Sequence, residues 1–224
     1  MATSLTTLAP RTSLEDPLAE LPRSAIQEYR KGQIIYNHDQ PCNTLYVVIQ
    51  GKVKISRLAD GGRQVIVGIY QEDDFFGESA FLNLSCWLEQ VAALDKTRVM
   101  AWTTTEIEDM VAKRPRLAVA LVQILVQRTL DFTQRIEAFS VDTIARRLAR
   151  LLISLSERMG TPQEDGSVDL MPFTHETLSQ HVGTSREIVT HYMNQLRRQG
   201  YLRYSRKSLA LYPGALREWL RQNA

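Results

Sequence analysis

Apolar residues follow a strand rhythm from Lys31 to about Thr105 and a helical rhythm beyond it. Residues 44–49 form an apolar run, and Gly51-Lys-Val-Lys-Ile-Ser-Arg-Leu alternates with period two, the pattern of a half-buried strand. Asp60-Gly61-Gly62, just ahead of an apolar run at 65–69, is a hairpin signal. Several short strands at regular spacing predict a closed sandwich or barrel. Residues 75–82 (Phe-Phe-Gly-Glu-Ser-Ala-Phe-Leu) break the rhythm and read as a short helical insert; 97–102 resumes as strand.

Past Thr105 the spacing predicts a short helix over 106–112. Pro115 then opens a long helix at its first turn, running to about residue 139. Its positions Leu117, Leu121, Ile124, Leu125, Phe132, Ile136 and Phe139 keep coiled-coil-like spacing, which predicts self-association over 117–139. Val119, Val122 and Val126 are expected to form a second apolar side that rests on the barrel. Residues 145–155 form another amphipathic helix, ended by Gly160, then a loop at 161–167 and a brief strand at 168–171.

Residues 174–201 carry the most specific signal, a helix-turn-helix. Thr174 can cap the first helix with its hydroxyl. Leu178 and Val182 share one face, and Gly183 ends the helix where a left-handed residue is easiest to place. Ser185 can cap the second helix, on which Val189, Tyr192, Met193 and Leu196 point inward. Arg186, Glu187, Thr190, His191 and Asn194 are left outward. A helical hairpin that only packs needs neither the Gly bend nor a capped start followed at once by Arg-Glu; a helix entering a major groove needs both. Further on, 201–204 and 209–212 flank Ser205-Arg-Lys-Ser, a basic-tipped hairpin with the form of a wing.

Composition narrows the function. With 224 residues and 44% hydrophobic content the chain can fold a core, as two modest domains or one large one. It has no run of 18 apolar residues and no charged-then-apolar leader, so no membrane span or secretory signal is expected. Residues 1–13, rich in Ser and Thr and free of acid, read as a flexible tail rather than a transit peptide. Two cysteines, Cys42 and Cys86, point to a reducing cytoplasm rather than a disulfide scaffold. Net charge is +2, unevenly spread: residues 143–224 hold 12 Lys/Arg and 7 Asp/Glu, while 1–107 hold 10 and 13. The positive charge thus sits with the helix-turn-helix, where a phosphate backbone would select it. The sequence has no His-Glu-x-x-His, no phosphate loop and no Ser or Cys nucleophile with an evident base, so enzyme chemistry is not expected.

In this order, a barrel, a Phe-Gly-Glu-Ser insert at 76–79, a long seam helix and a winged helix carrying Gly-Thr-Ser-Arg-Glu-Ile-Val at 183–189 resemble the CRP/FNR family, that of the cyclic-AMP receptor protein and the fumarate–nitrate reductase regulator. Gly51 and Gly77 also fit. The resemblance covers nearly all of the chain after Ser24. It implies an α+β fold: an N-terminal β-roll of the cyclic-nucleotide-binding jelly-roll kind, a dimerisation helix and a C-terminal winged helix-turn-helix. The corresponding division is a tail at 1–24, the roll at 25–114, the dimerisation helix and hinge at 115–142 and the DNA-binding domain at 143–224. The implied function is that of a homodimeric bacterial transcription factor on pseudo-palindromic double-stranded DNA, in contact with RNA polymerase. Arg186 resembles the family arginine that grips guanine O6 and N7, and Glu187 the glutamate that accepts from cytosine N4. His191 stands where cyclic-AMP receptor proteins have a second base-reading arginine, so a related but altered half-site is expected; Thr190 joins this reading set. Thr174, His175, Ser185, Arg206 and Lys207 are expected on phosphates, which position without specifying.

The effector pocket departs from the family pattern. Its expected residues are Gly77, Glu78, Ser79, Glu89, Gln90, Arg128, Phe132 and Thr133. Cyclic-AMP-binding members follow the Gly-Glu insert with an Arg-Ser pair on the cyclic phosphate. Counted back from Lys96-Thr97, those places fall on Glu89 and Gln90, or on Leu88 and Glu89 after a shift of one. No Lys or Arg occurs between Arg63 and Lys96, and Glu78 with Glu89 would repel a phosphate. Phe132 and Thr133 fall near the family's base-contacting Thr-Ser pair, with Phe132 filling adenine space. Cyclic AMP bound in the family's usual way is therefore not expected, and Glu78 is assigned to capping local N–H groups. Two cysteines do not supply an iron–sulfur cluster, and His38, the barrel histidine, reads as a surface turn residue beside Asp39 rather than a haem ligand. The cofactor is left unassigned. A Cys42–Cys86 thiol switch, a carboxylate metabolite such as 2-oxoglutarate held by Arg128 and Arg135, and a protein active without any ligand all stay open. For the two arginines the alternative is a salt bridge along the seam to Asp131 or Glu137. A ligand-sensing module whose winged helix binds a protein partner is the alternative function.

Overall fold

The computed structural model describes residues 21–22, 24–37, 43–59, 62–82, 89–205 and 208–223. The expectations placed on 1–20, His38, Asp39, Cys42, Asp60, Gly61, Cys86, Leu88, Arg206 and Lys207 lie outside the described residues.

Among the described residues, eight strands build the N-terminal half: β1 (Ile26–Tyr29), β2 (Ile34–Tyr36), β3 (Thr44–Gln50), β4 (Lys52–Leu58), β5 (Gln64–Gln71), β6 (Phe75–Phe76), β7 (Glu89–Ala93) and β8 (Thr97–Thr103). They pair antiparallel in two four-stranded sheets, ordered β1-β8-β3-β6 and β2-β7-β4-β5. The expected alternation holds over 52–55, with Val53 and Ile55 buried, and breaks at a register shift between Ile55 and Ser56, after which Ser56 is buried and Arg57 and Leu58 are both exposed. Between the sheets Tyr36, Val48, Val53, Ile55, Tyr70, Phe76, Val91 and Val99 form one core cluster. The 75–82 insert is not one helix. Phe75 and Phe76 pair with Val47 and Tyr46 as strand, and a 3-10 helix follows at Glu78–Leu82. Gly77 makes the corner at φ +88°, where an added Cβ would stand 2.6 Å from the Thr44 carbonyl oxygen.

Helices α1 (Thr104–Lys113), α2 (Arg116–Val141) and α3 (Ile144–Met159) follow. A capping box between Thr103 and Glu106 starts α1 two residues earlier than expected. The apolar sides of α2 differ from expectation in its first half, where Leu117, Leu121 and Ile124 of the expected seam face the roll and Val119, Val122 and Val126 do not; Leu125, Phe132, Ile136 and Phe139 are exposed as a seam would be. Leu117 is buried, and Leu121 and Ile124 pack against the roll cluster of Leu45, Val47, Phe75, Trp102 and Ile107. Val119, Val122 and Val126 are exposed at 53%, 57% and 54%, in company with Leu125, Leu130, Phe132 and Ile136. The physical reason is packing: Met110 and Val111 of α1 join the same roll cluster as Leu121 and Ile124, and Arg128 continues that edge onto Glu78 and Phe75.

The C-terminal part comprises β9 (Thr161–Pro162), β10 (Val168–Leu170), α4 (His175–Val182), α5 (Arg186–Arg198), β11 (Leu202–Tyr204), β12 (Leu209–Leu211) and α6 (Pro213–Gln222). β11 and β12 pair antiparallel as the wing. Helix α6, which the sequence pattern did not predict, buries Leu216 and packs Trp219 on the same core. That core joins α3, α4 and α5 through Leu148, Leu152, Leu178, Val182, Val189 and Met193, and it also takes in Ile66 and Ile69 of β5. The winged helix is therefore seated on its own roll. Arg135 of α2 ties the seat together: Nη2 donates to the Ile66 carbonyl and to the His181 carbonyl, both at 2.7 Å. The alternative of a seam salt bridge to Asp131 or Glu137 is not the arrangement found: Arg128 pairs with Glu78, and Arg135 donates to backbone carbonyls. No described helix is long and apolar enough to cross a membrane.

Candidate functional site

The helix-turn-helix is assembled by local rules. The Thr174 hydroxyl accepts from the Thr177 N–H at 3.0 Å and caps α4. Gly183 closes α4 at φ +75°, and an added Cβ there would meet Phe139 of α2 at 2.9 Å. Ser185 caps α5 by accepting from the Ile188 N–H. Val189, Met193 and Leu196 are buried, so the opposite side of α5 is free. Arg186, Glu187 and His191 are exposed on it.

Each reading residue has a distinct setting. The Glu187 carboxylate is held below the usual range by its own backbone N–H and by the Ser185 hydroxyl. His191 packs edge-on against Tyr192, 5.1 Å between ring centres. The Thr190 hydroxyl donates to the Arg186 carbonyl at 2.8 Å and also lies 2.8 Å from His175 Nδ1. A hydroxyl has one proton, so with that proton on the Arg186 carbonyl the contact to His175 is an Nδ1–H donating to the Thr190 oxygen. The Thr190 hydroxyl is thus engaged within the protein, and neutral His175 presents only an acceptor at Nε2, so donating to an anion there requires the imidazolium. Burial, and then the Arg186 charge, push the His175 pKa down. Thr174 and Ser185 stand at their helix starts as expected.

In the roll the pocket residues are brought together only in part. Arg128 Nη1 pairs with Glu78 Oε1 at 2.7 Å, with side-chain exposures of 11% and 35%. Arg128 also donates to the Phe75 carbonyl and lies 4.4 Å over the Tyr70 ring. Glu78 is thus an ion-pair partner, not the cap of local N–H groups that was expected. Burial opposes charge on Arg128, but Glu78 and Tyr70 more than offset it and its pKa rises. Tyr36, Tyr46 and Phe76 stack beside this pair. Burial, then the nearby carboxylates Glu89 and Glu78, drive the Tyr36 pKa far up. Glu89 pairs with Arg57 at 3.4 Å; burial raises its pKa, partly countered by Arg57. Gln90 accepts from Gln64, while Ser79 contributes a hydrogen bond to Glu89. Phe132 and Thr133 do not join the pocket: both lie on the exposed face of α2, with the Thr133 hydroxyl bonded back to the Thr129 carbonyl. The reason is the turn of α2, which sends Arg128 and not Phe132 into the roll. Among the described residues no group of three or more His, Cys, Asp or Glu is gathered to hold a metal ion.

Two families match this chain, a cyclic nucleotide-binding domain over residues 26–114 and a Crp-like helix-turn-helix domain over 146–219. The transcriptional regulator SdrP of Thermus thermophilus is 30% identical over 163 residues, 73% of this chain and 76% of that protein. The chain belongs to the CRP/FNR family. A CRP-like cAMP-activated global transcriptional regulator of Mycobacterium tuberculosis is 26% identical over 185 residues, 82% of each chain. The structure of FixK2 from Bradyrhizobium japonicum has the same fold, with a TM-score of 0.76 at 21% identity over 88% of this chain and 97% of that one. The relatives and both matched domains of this CRP/FNR protein are those of transcription regulators, not enzymes. Sequence reasoning missed Tyr204 and Arg197, which border the reading face; the aromatic residue closing the first wing strand was the available signal.

Proposed function

We propose that this protein is a homodimeric, sequence-specific DNA-binding transcriptional regulator. The observation that carries the reading is the exposed Arg186–Glu187 pair on the first turn of a Ser-capped helix whose other face is buried. An arginine there matches guanine O6 and N7, a glutamate accepts from cytosine N4, and each good contact discriminates by about 1–3 kcal/mol. Thr174, His175 and Ser185, at the starts of α4 and α5, are the residues this reading assigns to phosphates. The exposed apolar edge of α2, Val119, Val122, Val126 and Ile136, is suited to a second copy of the same helix. Two heads would then read half-sites about 34 Å apart. A bacterial promoter site of this kind would bring the protein beside RNA polymerase in the cytoplasm.

The effector, if one is used, is not cyclic AMP bound in the family's usual mode. Arg128, a buried cation that an acidic ligand would need, is taken by Glu78, and the Tyr36–Tyr46–Phe76 stack fills space beside it. Activity without a ligand fits that interior equally. The test is fluorescence anisotropy on a selected duplex across a salt series. Binding by phosphate neutralisation falls steeply with log salt as counterions leave; a flat response would assign the winged helix to an apolar protein partner.

A further inference from the structure

Glu187, Thr190, His191 and Asn194 stand at i, i+3, i+4 and i+7 on α5, a spacing from which recognition helices of the helix-turn-helix class read bases. Asn194 differs from its neighbours on this line. Glu187 and His191 are exposed and Asn194 is half-buried, because the Tyr204 hydroxyl donates to Asn194 Oδ1 at 3.0 Å. Tyr204 ends the first wing strand, and its own ring is held from two sides. His175 packs edge-on at 5.3 Å between ring centres, and the Arg197 guanidinium lies 5.2 Å over the ring. The hydrogen bond fixes the plane of the Asn194 amide. With its carbonyl oxygen engaged, the group's two N–H donors remain to be offered. Seven residues beyond Glu187 are about 10.5 Å along the helix axis at 1.5 Å per residue, roughly three base-pair steps of 3.4 Å.

We propose that Asn194 is a further specificity-determining residue, donating from its amide to an acceptor on a base edge in the major groove, and that Tyr204 is its positioning residue. The acceptor is guanine N7 or O6, adenine N7 or thymine O4, the groups these bases present there. The wing thereby does more than touch backbone: its first strand sets the rotamer of a reading side chain. This assignment rests on α5 being the helix that enters the groove.

The experiment selects bound duplexes from a randomised pool with the wild type, Asn194→Ala, Tyr204→Phe and Arg186→Ala. Each protein is then measured against the consensus and its single-base-pair variants. Asn194→Ala and Tyr204→Phe are expected to lose preference at one and the same base pair per half-site. Discrimination there falls from about tenfold to twofold or less, while the other positions keep theirs; Arg186→Ala loses a different position. Tyr204→Phe keeps the ring, its contact with His175 and the place of Arg197, so a merely structural role for Tyr204 would leave the preference unchanged. That result overturns the proposal. So does a uniform weakening across all sequences in Asn194→Ala, the signature of a phosphate contact. A wild type that selects no motif overturns the assignment of α5 to DNA and this proposal with it.

Discussion

Replacing Arg128 with Ala should loosen the attachment of α2 to the roll. The guanidinium makes three contacts in a site where only 11% of its side chain meets solvent: the Glu78 carboxylate at 2.7 Å, the Phe75 carbonyl and the Tyr70 ring face. Removing one member of a buried ion pair costs about 3–5 kcal/mol, because the other charge is left behind. Glu78 is 35% exposed and can partly rehydrate, which lowers the expected loss to about 2–3 kcal/mol. For a chain of this size each kcal/mol moves the melting temperature by about 2–4 °C, so Arg128→Ala should melt about 4–12 °C lower. Pairing Arg128→Met with Glu78→Gln removes both charges and should recover most of that loss, with a coupling of at least about 1.5 kcal/mol in the double-mutant cycle. Methylguanidinium at low millimolar concentration should raise the melting point of Arg128→Ala and leave that of the wild type unchanged. Thermal denaturation followed by circular dichroism reads all of these. A variant that melts with the wild type, together with a coupling near zero, would refute the view that this pair organises the roll interior.

His181 packs against Arg135, and burial, followed by that neighbouring charge, pushes its pKa to about 3. The unfolded chain protonates it below about 6.5, so the fold is fully favoured above that pH and weakens as pH falls toward 3, by at most about 1.4 kcal/mol per unit. Urea midpoints from pH 7.5 to 5 should show this slope, and His181→Gln should flatten it; an identical slope in the variant would show that His181 is not its source. Gly183→Ala forces a side chain into φ +75° against Phe139 and should destabilise by about 1–2 kcal/mol; a thermal shift under 1 °C would contradict the close approach. Charging the exposed edge of α2 with Val122→Glu plus Ile136→Glu should give monomers in sedimentation velocity and lower DNA affinity more than tenfold, whereas a dimer unaffected by both charges would place the interface elsewhere.

Features built from contiguous residues were legible from the sequence. The alternation of Lys52–Ile55, the caps Thr174 and Ser185, and the left-handed Gly183 are each decided within a few residues, and each stands where the pattern put it; the register shift that ends the alternation at Ser56 is set by the partner strand. Strand β1 was missed because Ile26–Tyr29 is mostly exposed and carries no alternation. Helix α6 was missed because it opens on Pro-Gly, which reads as a turn. Periodicity found both apolar edges of α2, but only the packing of α1 and the roll decides which edge is covered. The pairs Arg128–Glu78 and Arg135–His181 join residues 50 and 46 positions apart. No local pattern encodes such distances. On α5, position on the helix was enough to put Arg186, Glu187 and His191 on the exposed face. Local pattern could not tell that the Thr190 hydroxyl is already engaged by His175, or that Asn194 is held from the wing.

The most direct test measures the affinity of the wild type and of Arg186→Ala for two duplexes, the selected site and the same site with its Arg186-facing G·C pair changed to A·T. The wild type should favour the first by about tenfold or more, and Arg186→Ala should bind the two alike. An Arg186→Ala protein that still separates the two duplexes as the wild type does would contradict the claim that this arginine reads DNA.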